Sequence, residues 1–446
     1  MRRKKQNLSF FHSRTDIPFG FQMNFRLPQL KALKHRNFRF FIGGQTLALI
    51  GYWMQNIALS WWLYKTTHSA SLLGLLAFAS SLPILLLSPL AGLWSDRCNL
   101  YKAMFATQAL EMLQAVTLAS LALTGLLQPW HVIFLSMLMG VMVAVELPIR
   151  HAFLLELVEQ KKDLPNAIAV TSLMANCGRL VGPALAGLVI SWFSESACFV
   201  INALSFSGVI VSFFFIHVTP TIRTITPQPF FKGLCEGFSY VYQSYPMRSL
   251  LLLLVAMGLL ANPYVSLMPV LVSEVFHGDA HQMGFMVGAS GMGAVAGTLY
   301  LAMRTSVRGL IKLLTVASMV AGIALALLPH LHWVWLCLPF LSFIGFGILV
   351  TSVSVNMILQ TIVDDDKRGR AMSLYTVSFM GVAPFGALAQ GVLVDHIGVA
   401  ATLTIAGLGS ALCAGLLALQ QKRIRGELSV YYDRLGVAQA PTKDPP

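Results

Sequence analysis

Residues 70–102 read ASLLGLLAFASSLPILLLSPLAGLWSDRCNLYK, and the first part, 70–92, decides the fold. It runs for 23 residues without a charged side chain, enough for a helix to cross the ~30 Å hydrocarbon layer of a bilayer. A helix is required because only internal hydrogen bonds satisfy a backbone in lipid. A short polar turn, Gly92 to Arg97, follows, and a new apolar run, 102–126, opens at Lys102. Outward from this pair, similar runs lie at 40–64, 130–149, 167–193 and 197–218. After a gap come 248–272, 282–303, 309–329, 331–357, 371–394 and 399–420. The expected fold is therefore an all-α polytopic membrane protein, with twelve transmembrane helices in two six-helix halves. Composition agrees: of 446 residues, 56% are hydrophobic and only 11% charged, whereas a soluble domain carries about a quarter of its residues charged. That excludes a water-exposed globule, and equally a disordered chain, which is poor in apolar residues.

The net charge of +13 would point to nucleic acid only if it formed one patch. It is instead sorted by side. Ten Lys or Arg precede residue 40, and further clusters lie at Arg97–Lys102, Arg150–Lys162, Arg223–Arg248, Arg304–Lys312, Lys367–Arg370 and Lys422–Arg425. The alternate loops are nearly free of them, Lys65 excepted. This is the positive-inside pattern and places both termini in the cytoplasm. Five segments follow: a basic cytoplasmic stretch 1–36, a first bundle 37–218, a linker 219–247, a second bundle 248–420 and a tail 421–446. The first segment lacks the apolar core and cleavage site of a secretory signal; a disordered tail and a membrane-surface segment both fit it. In the linker, Phe231, Leu234, Phe238, Val241 and Tyr245 recur at helical spacing, as in an amphipathic helix lying on the interface. A faint repeat relates Asn166-Ala167, Gly182 and Gly187 to Arg370-Ala371, Gly386 and Gly391, 204 residues later, as in transporters built from two related halves.

Few polar residues interrupt the spans. Gly92, Asp96, Arg97 and Lys102 form a turn able to bridge helix ends, or a simple positive loop. Glu146 and Arg150 stand four apart across Pro148, with Glu156 beyond; they suit a gate network or headgroup contact. Glu111 and Arg179 lie near mid-span, where an ionisable group is a functional candidate by default. Two readings stay open: they pair and lock the bundle, or they line a cavity, Glu111 cycling protons and Arg179 holding an anion or tuning Glu111 in proton coupling. Gly178, Gly182, Pro183 and Gly187 allow close helix approach and a bend in span five. Gln45 and Asn56 in span one are cavity candidates, as are Asn262, Tyr264 and Asn356 in the second half. Six Cys without a close pair give no disulfide framework or metal spacing, and His277 with His281 lacks further ligands. No P-loop, HExxH or GxSxG occurs, so no enzyme, metal or cofactor is expected.

Over about 36–420 these features resemble the major facilitator superfamily. Gly92, Asp96, Arg97 and Lys102 look like its loop 2–3 signature, with Cys98 and Asn99 where the pattern has a glycine. Gly178, Gly182, Pro183 and Gly187 resemble its fifth-helix antiporter signature, with Ala186 replacing one glycine. Asn37-Phe38-Arg39, Gly44-Gln45, Trp53-Met54-Gln55, the run Pro148–Val158, Asn166-Ala167, Gly233, Glu236 and Gly237, and Arg368-Gly369-Arg370 through Leu374-Tyr375 are similar to the enterobactin-exporter group. That resemblance implies a bacterial inner-membrane secondary exporter working by alternating access and proton exchange. Its partners would be a small-molecule substrate, plausibly a siderophore, protons and membrane lipids, without nucleic acid, and the chain would act as a monomer. Multidrug or macrolide efflux, lysophospholipid flipping and a non-transporting receptor or scaffold are the alternative functions. Asp96, Arg97 and Arg150 would gate the cytoplasmic side.

Overall fold

The computed structural model describes residues 31–95, 98–158, 160, 163–218, 239–304, 306–364 and 367–434, and all regular structure among them is helical. The N-terminal helices are α1 (Arg36–Thr67), α2 (Ala70–Ser95), α3 (Leu100–Leu123), α4 (Pro129–Leu157), α5 (Leu164–Trp192) and α6 (Glu195–Phe214). The C-terminal ones are α7 (Tyr245–Ala256), α8 (Ala280–Ala302), α9 (Leu310–Leu327), α10 (Val334–Ile362), α11 (Arg368–Thr376) and α12 (Ala383–Arg434). Nine helical stretches among the described residues are long and apolar enough to cross a membrane; the last, Arg370–Ser429, runs for 60 residues and is broken at Gly398, whose φ is 81°. α1 and α3 fall short of that test. They carry Gln45 and Gln55, and Gln108, Glu111 and Gln114, all buried, so their hydropathy is diluted by polar groups turned into the protein.

Local chemistry sets the helix ends. The expected loop 2–3 turn places Asn99 where the family pattern has glycine, and Asn99 proves to be the cap of α3: its Oδ1 accepts from the Lys102 N–H at 3.0 Å. Ser194 and Asp279 cap α6 and α8 in the same way. The stretch 1–30 and most of the linker, including Phe231, Leu234 and Phe238, lie outside the described residues. The helix ending at 243 does not continue through Tyr245; Ser244 separates it from α7, whose first turn holds Pro246.

Prolines reshape two of the expected spans. The seventh is not one helix: after α7 come a π turn (Met257–Ala261), a 3-10 turn (Asn262–Val265), a short helix (Met268–Val270) and a second π turn (Leu271–Val275). Pro263 has no N–H to give the Leu259 carbonyl four residues back. The Gln390 amide on α12 supplies it, donating to Leu259 O at 2.8 Å and Leu260 O at 2.9 Å. In α5 the helix runs on through Pro183, and the carbonyl this releases, that of Arg179, faces Gly291 of α8, where an added Cβ would lie 3.3 Å from it.

α5 packs along α8, and α2 along the first segment of α12. Both contacts are backbone against backbone. A Cβ on Gly187 would sit 2.9 Å from Ala280 O and 3.1 Å from the Gly284 Cα; a Cβ on Gly391 would sit 2.6 Å from Ala70 O and 3.1 Å from the Gly74 Cα. The 204-residue repeat therefore relates two equivalent crossings, Gly187 on Gly284 and Gly391 on Gly74. Gly284 belongs to this contact, while Gly293 lies so close to α10 that a Cβ would overlap Ser342 O. Substituting Gly187→Val is expected to cost about 1–3 kcal/mol of stability through overpacking, read as a fall in unfolding temperature of the purified protein. Gly43→Ala, where an added Cβ meets nothing within 4 Å, is the control expected to hold or gain stability. Equal stability of the two variants would remove the glycine crossing from the account.

Candidate functional site

Between the N-terminal and C-terminal helices lies a cavity of about 420 Å³. α1 contributes Tyr52, Trp53 and Asn56, α2 contributes Ser80 and Ser81, and α5 contributes Arg179. The proline-broken seventh segment brings Asn262 and Tyr264, and α8 brings Ser290, hydrogen-bonded to the Tyr264 hydroxyl. The break has a local consequence: non-α turns aim Asn262 and Tyr264 at the cavity, a common use of such turns at functional sites. Among the described residues Arg179 is the only charged side chain on the lining. Its guanidinium lies 5.9 Å from the centroid of the Trp53 ring.

Glu111 is elsewhere. It is buried on α3 in a cluster with Gln108, Glu146 and Arg150. The Gln108 Nε2 donates to Glu111 Oε2 at 3.1 Å and to Glu146 Oε1 at 2.9 Å. Arg150 donates from Nε to the same Glu146 oxygen at 3.1 Å, and from Nη2 as well. The i,i+4 pair thus forms across Pro148, because α4 stays helical there. Glu111 Oε1 is buried without a hydrogen-bond partner. One guanidinium serves two carboxyl groups, so a single proton makes the cluster neutral. Tyr52 lines the cavity and lies within electrostatic reach of Glu111, Glu146 and Arg150.

Of the two open readings of Glu111 and Arg179, direct pairing is not what the fold provides: Glu111 joins the α3–α4 cluster and Arg179 faces the cavity. Asn56, Asn262 and Tyr264 line the cavity with Arg179; Gln45 and Asn356 do not. Gln45 is buried with its amide nitrogen unpartnered, and Asn356 accepts from Gln360 at 2.7 Å. Gly178 and Gly182 abut Leu49 and Trp53 on α1, whereas Pro183 and Gly187 meet α8. Asp96 and Arg97 lie outside the described residues. Gly92 has open space around it, the Lys102 side chain is exposed, and Glu156 is half-buried near the end of α4. Cys177 is exposed.

A second polar set joins the N-terminal and C-terminal helices at the end bearing the α1–α2 turn. Asp395 accepts from the Ala70 N–H at 2.9 Å, the Ser71 N–H at 3.1 Å and the Ser71 hydroxyl. The Tyr64 hydroxyl donates to Glu274 at 2.5 Å. Asp395 thereby caps α2 from 325 residues away. Lys65, the exception to the charge pattern, pairs with Glu195 at 3.1 Å on the same end. Gln108 was legible as a neighbour three residues before Glu111 on one helix face; Asp395 and Glu274 carried no local signal.

Residues 28–430 match the family model described as transmembrane secretion effector. The chain belongs to this family of the major facilitator superfamily. It is 26% identical to the Staphyloferrin A transporter of Staphylococcus aureus, over 84% of this chain and 94% of that one. It is 23% identical to the multidrug efflux pump Tap of Mycolicibacterium fortuitum (83% and 91%) and 22% identical to macrolide efflux protein A of Streptococcus pyogenes (80% and 89%). In fold it resembles the crystal structure of the nucleoside transporter NupG, with a TM-score of 0.71 at 12% identity, covering 86% of this chain and 99% of that one. The protein is accordingly a multi-pass membrane transporter and not an enzyme.

Removing the Asp395 carboxylate is expected to weaken this junction by about 1 kcal/mol, the usual cost of a lost helix cap. That is a roughly fivefold change in the ratio of joined to separated helix ends. Spin labels at the exposed Thr66 and His396 report it by pulsed EPR: Asp395→Ala should add a longer distance. An unchanged distribution would show that the junction does not depend on Asp395.

Proposed function

We propose that the protein is a secondary exporter that expels a small organic molecule, a siderophore, in exchange for protons by alternating access. In this reading twelve spans form two six-helix halves, 37–218 and 248–420, joined by the linker 219–247. Segments 1–36 and 421–446 lie in the cytoplasm, and the chain works as a monomer in a bacterial inner membrane. The twelve-span count is supported by adding α1 and α3, whose polar groups are buried, and by dividing the last helical stretch at Gly398. The positive charges support the orientation.

The observation that carries the reading is the juxtaposition of a cavity lined by both sets of helices with the buried Glu111–Glu146–Arg150 cluster beside it. With Glu111 protonated, Arg150 balances Glu146 and the cluster is neutral. Loss of that proton leaves an extra charge in a medium where unpaired charge is expensive. Arg150 must then be shared between two carboxylates on α3 and α4, which alters how those helices sit beside α1 and the cavity. Glu111 is the proton carrier, Glu146 its partner and Gln108 the positioning residue that holds both. Asp96, Arg97, Lys102, Gly92, Arg150 and Glu156 serve the gate on the terminal side, opposite the Asp395 closure, and Gly178, Gly182, Pro183 and Gly187 seat α5 for the rocking motion.

The similarity to the Staphyloferrin A transporter supports the siderophore; the similarity to Tap and to macrolide efflux protein A supports multidrug or macrolide efflux as the second reading. In proteoliposomes, substrate-driven proton release is expected for the wild type and to be lost in Glu111→Gln, with Glu146→Gln impaired. Full coupling in Glu111→Gln would remove Glu111 from the mechanism. In cells, deletion of the gene should lower siderophore in the supernatant under iron limitation. Unchanged siderophore together with greater drug sensitivity would transfer the substrate to the second reading.

A further inference from the structure

Among the described residues Arg179 is the one cation on the cavity wall, and no carboxylate on that wall answers its charge. Among the described residues the cavity lining contains no Asp, Glu, Lys or His besides this arginine. Its guanidinium has neither an ion pair nor a hydrogen bond there, only the face of Trp53. A structural arginine inside a membrane protein is ordinarily paired with an acid or with carbonyls. The buried acids here are already engaged: Glu146 by Arg150 and Gln108, and Glu111 by Gln108. The position is nonetheless built. Gly178 and Gly182, flanking Arg179, lie against Leu49 and Trp53 on α1, and the Arg179 backbone lies against Gly291 of α8. Tyr264 lies within electrostatic reach of it, and the other polar groups of the lining, Asn56, Asn262 and Ser290 among them, are neutral.

We propose that the cavity takes an organic anion, whose carboxylate pairs with Arg179 while a flat or apolar part of the molecule lies on Trp53. Resting on the exporter reading of this same cavity, the proposal adds the charge class of the cargo. A guanidinium offers a planar fork that matches a carboxylate bidentately. A volume of about 420 Å³ is in the range that holds a small ligand. A cation would meet Arg179 with no carboxylate on the wall to offset the repulsion.

Carboxyfluorescein and rhodamine 6G share a xanthene frame and differ in charge, so fluorescence anisotropy with the purified full-length protein in detergent separates the two classes. Wild type is expected to bind carboxyfluorescein more tightly than rhodamine 6G. Arg179→Gln should weaken the anion by about tenfold to a hundredfold, the range for a lost charge-assisted contact, and Arg179→Lys should recover part of it. An unchanged unfolding temperature in Arg179→Gln excludes misfolding as the cause, and the partial recovery with lysine keeps the test decisive if that temperature falls. Failure of the anion to bind, tighter binding of the cation, or equal anion affinity in wild type and Arg179→Gln would each overturn the proposal. Transport keeps the two readings apart. Proton-driven export of rhodamine 6G without carboxyfluorescein leaves an exporter and refutes the anion; carboxyfluorescein bound through Arg179 but never transported leaves the anion site and refutes the exporter.

Discussion

Bare backbone meeting bare backbone is the constraint on which the arrangement depends. Where α5 crosses α8, and where α2 crosses the first segment of α12, glycines face glycines and neighbouring carbonyls with no room for a Cβ. In lipid there is little hydrophobic force to bring helices together, so close packing of small residues supplies the attraction. These crossings are also the places where the N-terminal and C-terminal helices touch along their length. The cavity lies between them, and its shape follows from how closely they approach. Arg179 shows the connection directly, since its backbone sits in a crossing and its side chain in the cavity.

Polar groups inside the protein follow a second rule: several of them join one helix to another. Gln55 accepts from Asn202 at 2.7 Å, Gln390 serves two carbonyls, and Gln108 serves two carboxyl groups. In a medium without water an unmet donor or acceptor is costly, so each such residue ties one helix to another. Glu111 keeps one buried oxygen without a partner, as Gln45, Gln108 and Gln390 each keep one amide atom, and the Arg179 guanidinium meets only the face of Trp53 among the described residues.

Much of this was legible in the chain. The apolar runs and the glycine repeat reported helices and duplicated crossings, because each depends on residues close in sequence or on a strict register. Position along a helix was readable, but the direction a side chain faces was less so. Glu111 and Arg179 both read as mid-span charges, yet one turns to α4 and the other to the cavity. Gln45 and Asn356 had the right depth and the wrong face for the lining. Asn99 looked like a departure from a turn pattern and is a helix cap. The partnership of Asp395 with Ala70 and Ser71 spans most of the chain, and only the folded topology brings those groups together.

The amide of Gln390 has a mechanical consequence. It shares α12 with Asp395, little more than a turn away, and with Gly391, which rests on α2. From that helix it holds the carbonyls exposed where Pro263 interrupts the seventh segment, beside Asn262 and Tyr264. Any shift of α12 large enough to pull Asp395 from the α2 terminus must carry those carbonyls with it or strand them, at about 1–3 kcal/mol for each buried acceptor left unmet. In the proposed exporter, unlatching that end and reshaping the cavity wall are thus coupled, because either movement alone strands the carbonyls that Gln390 holds.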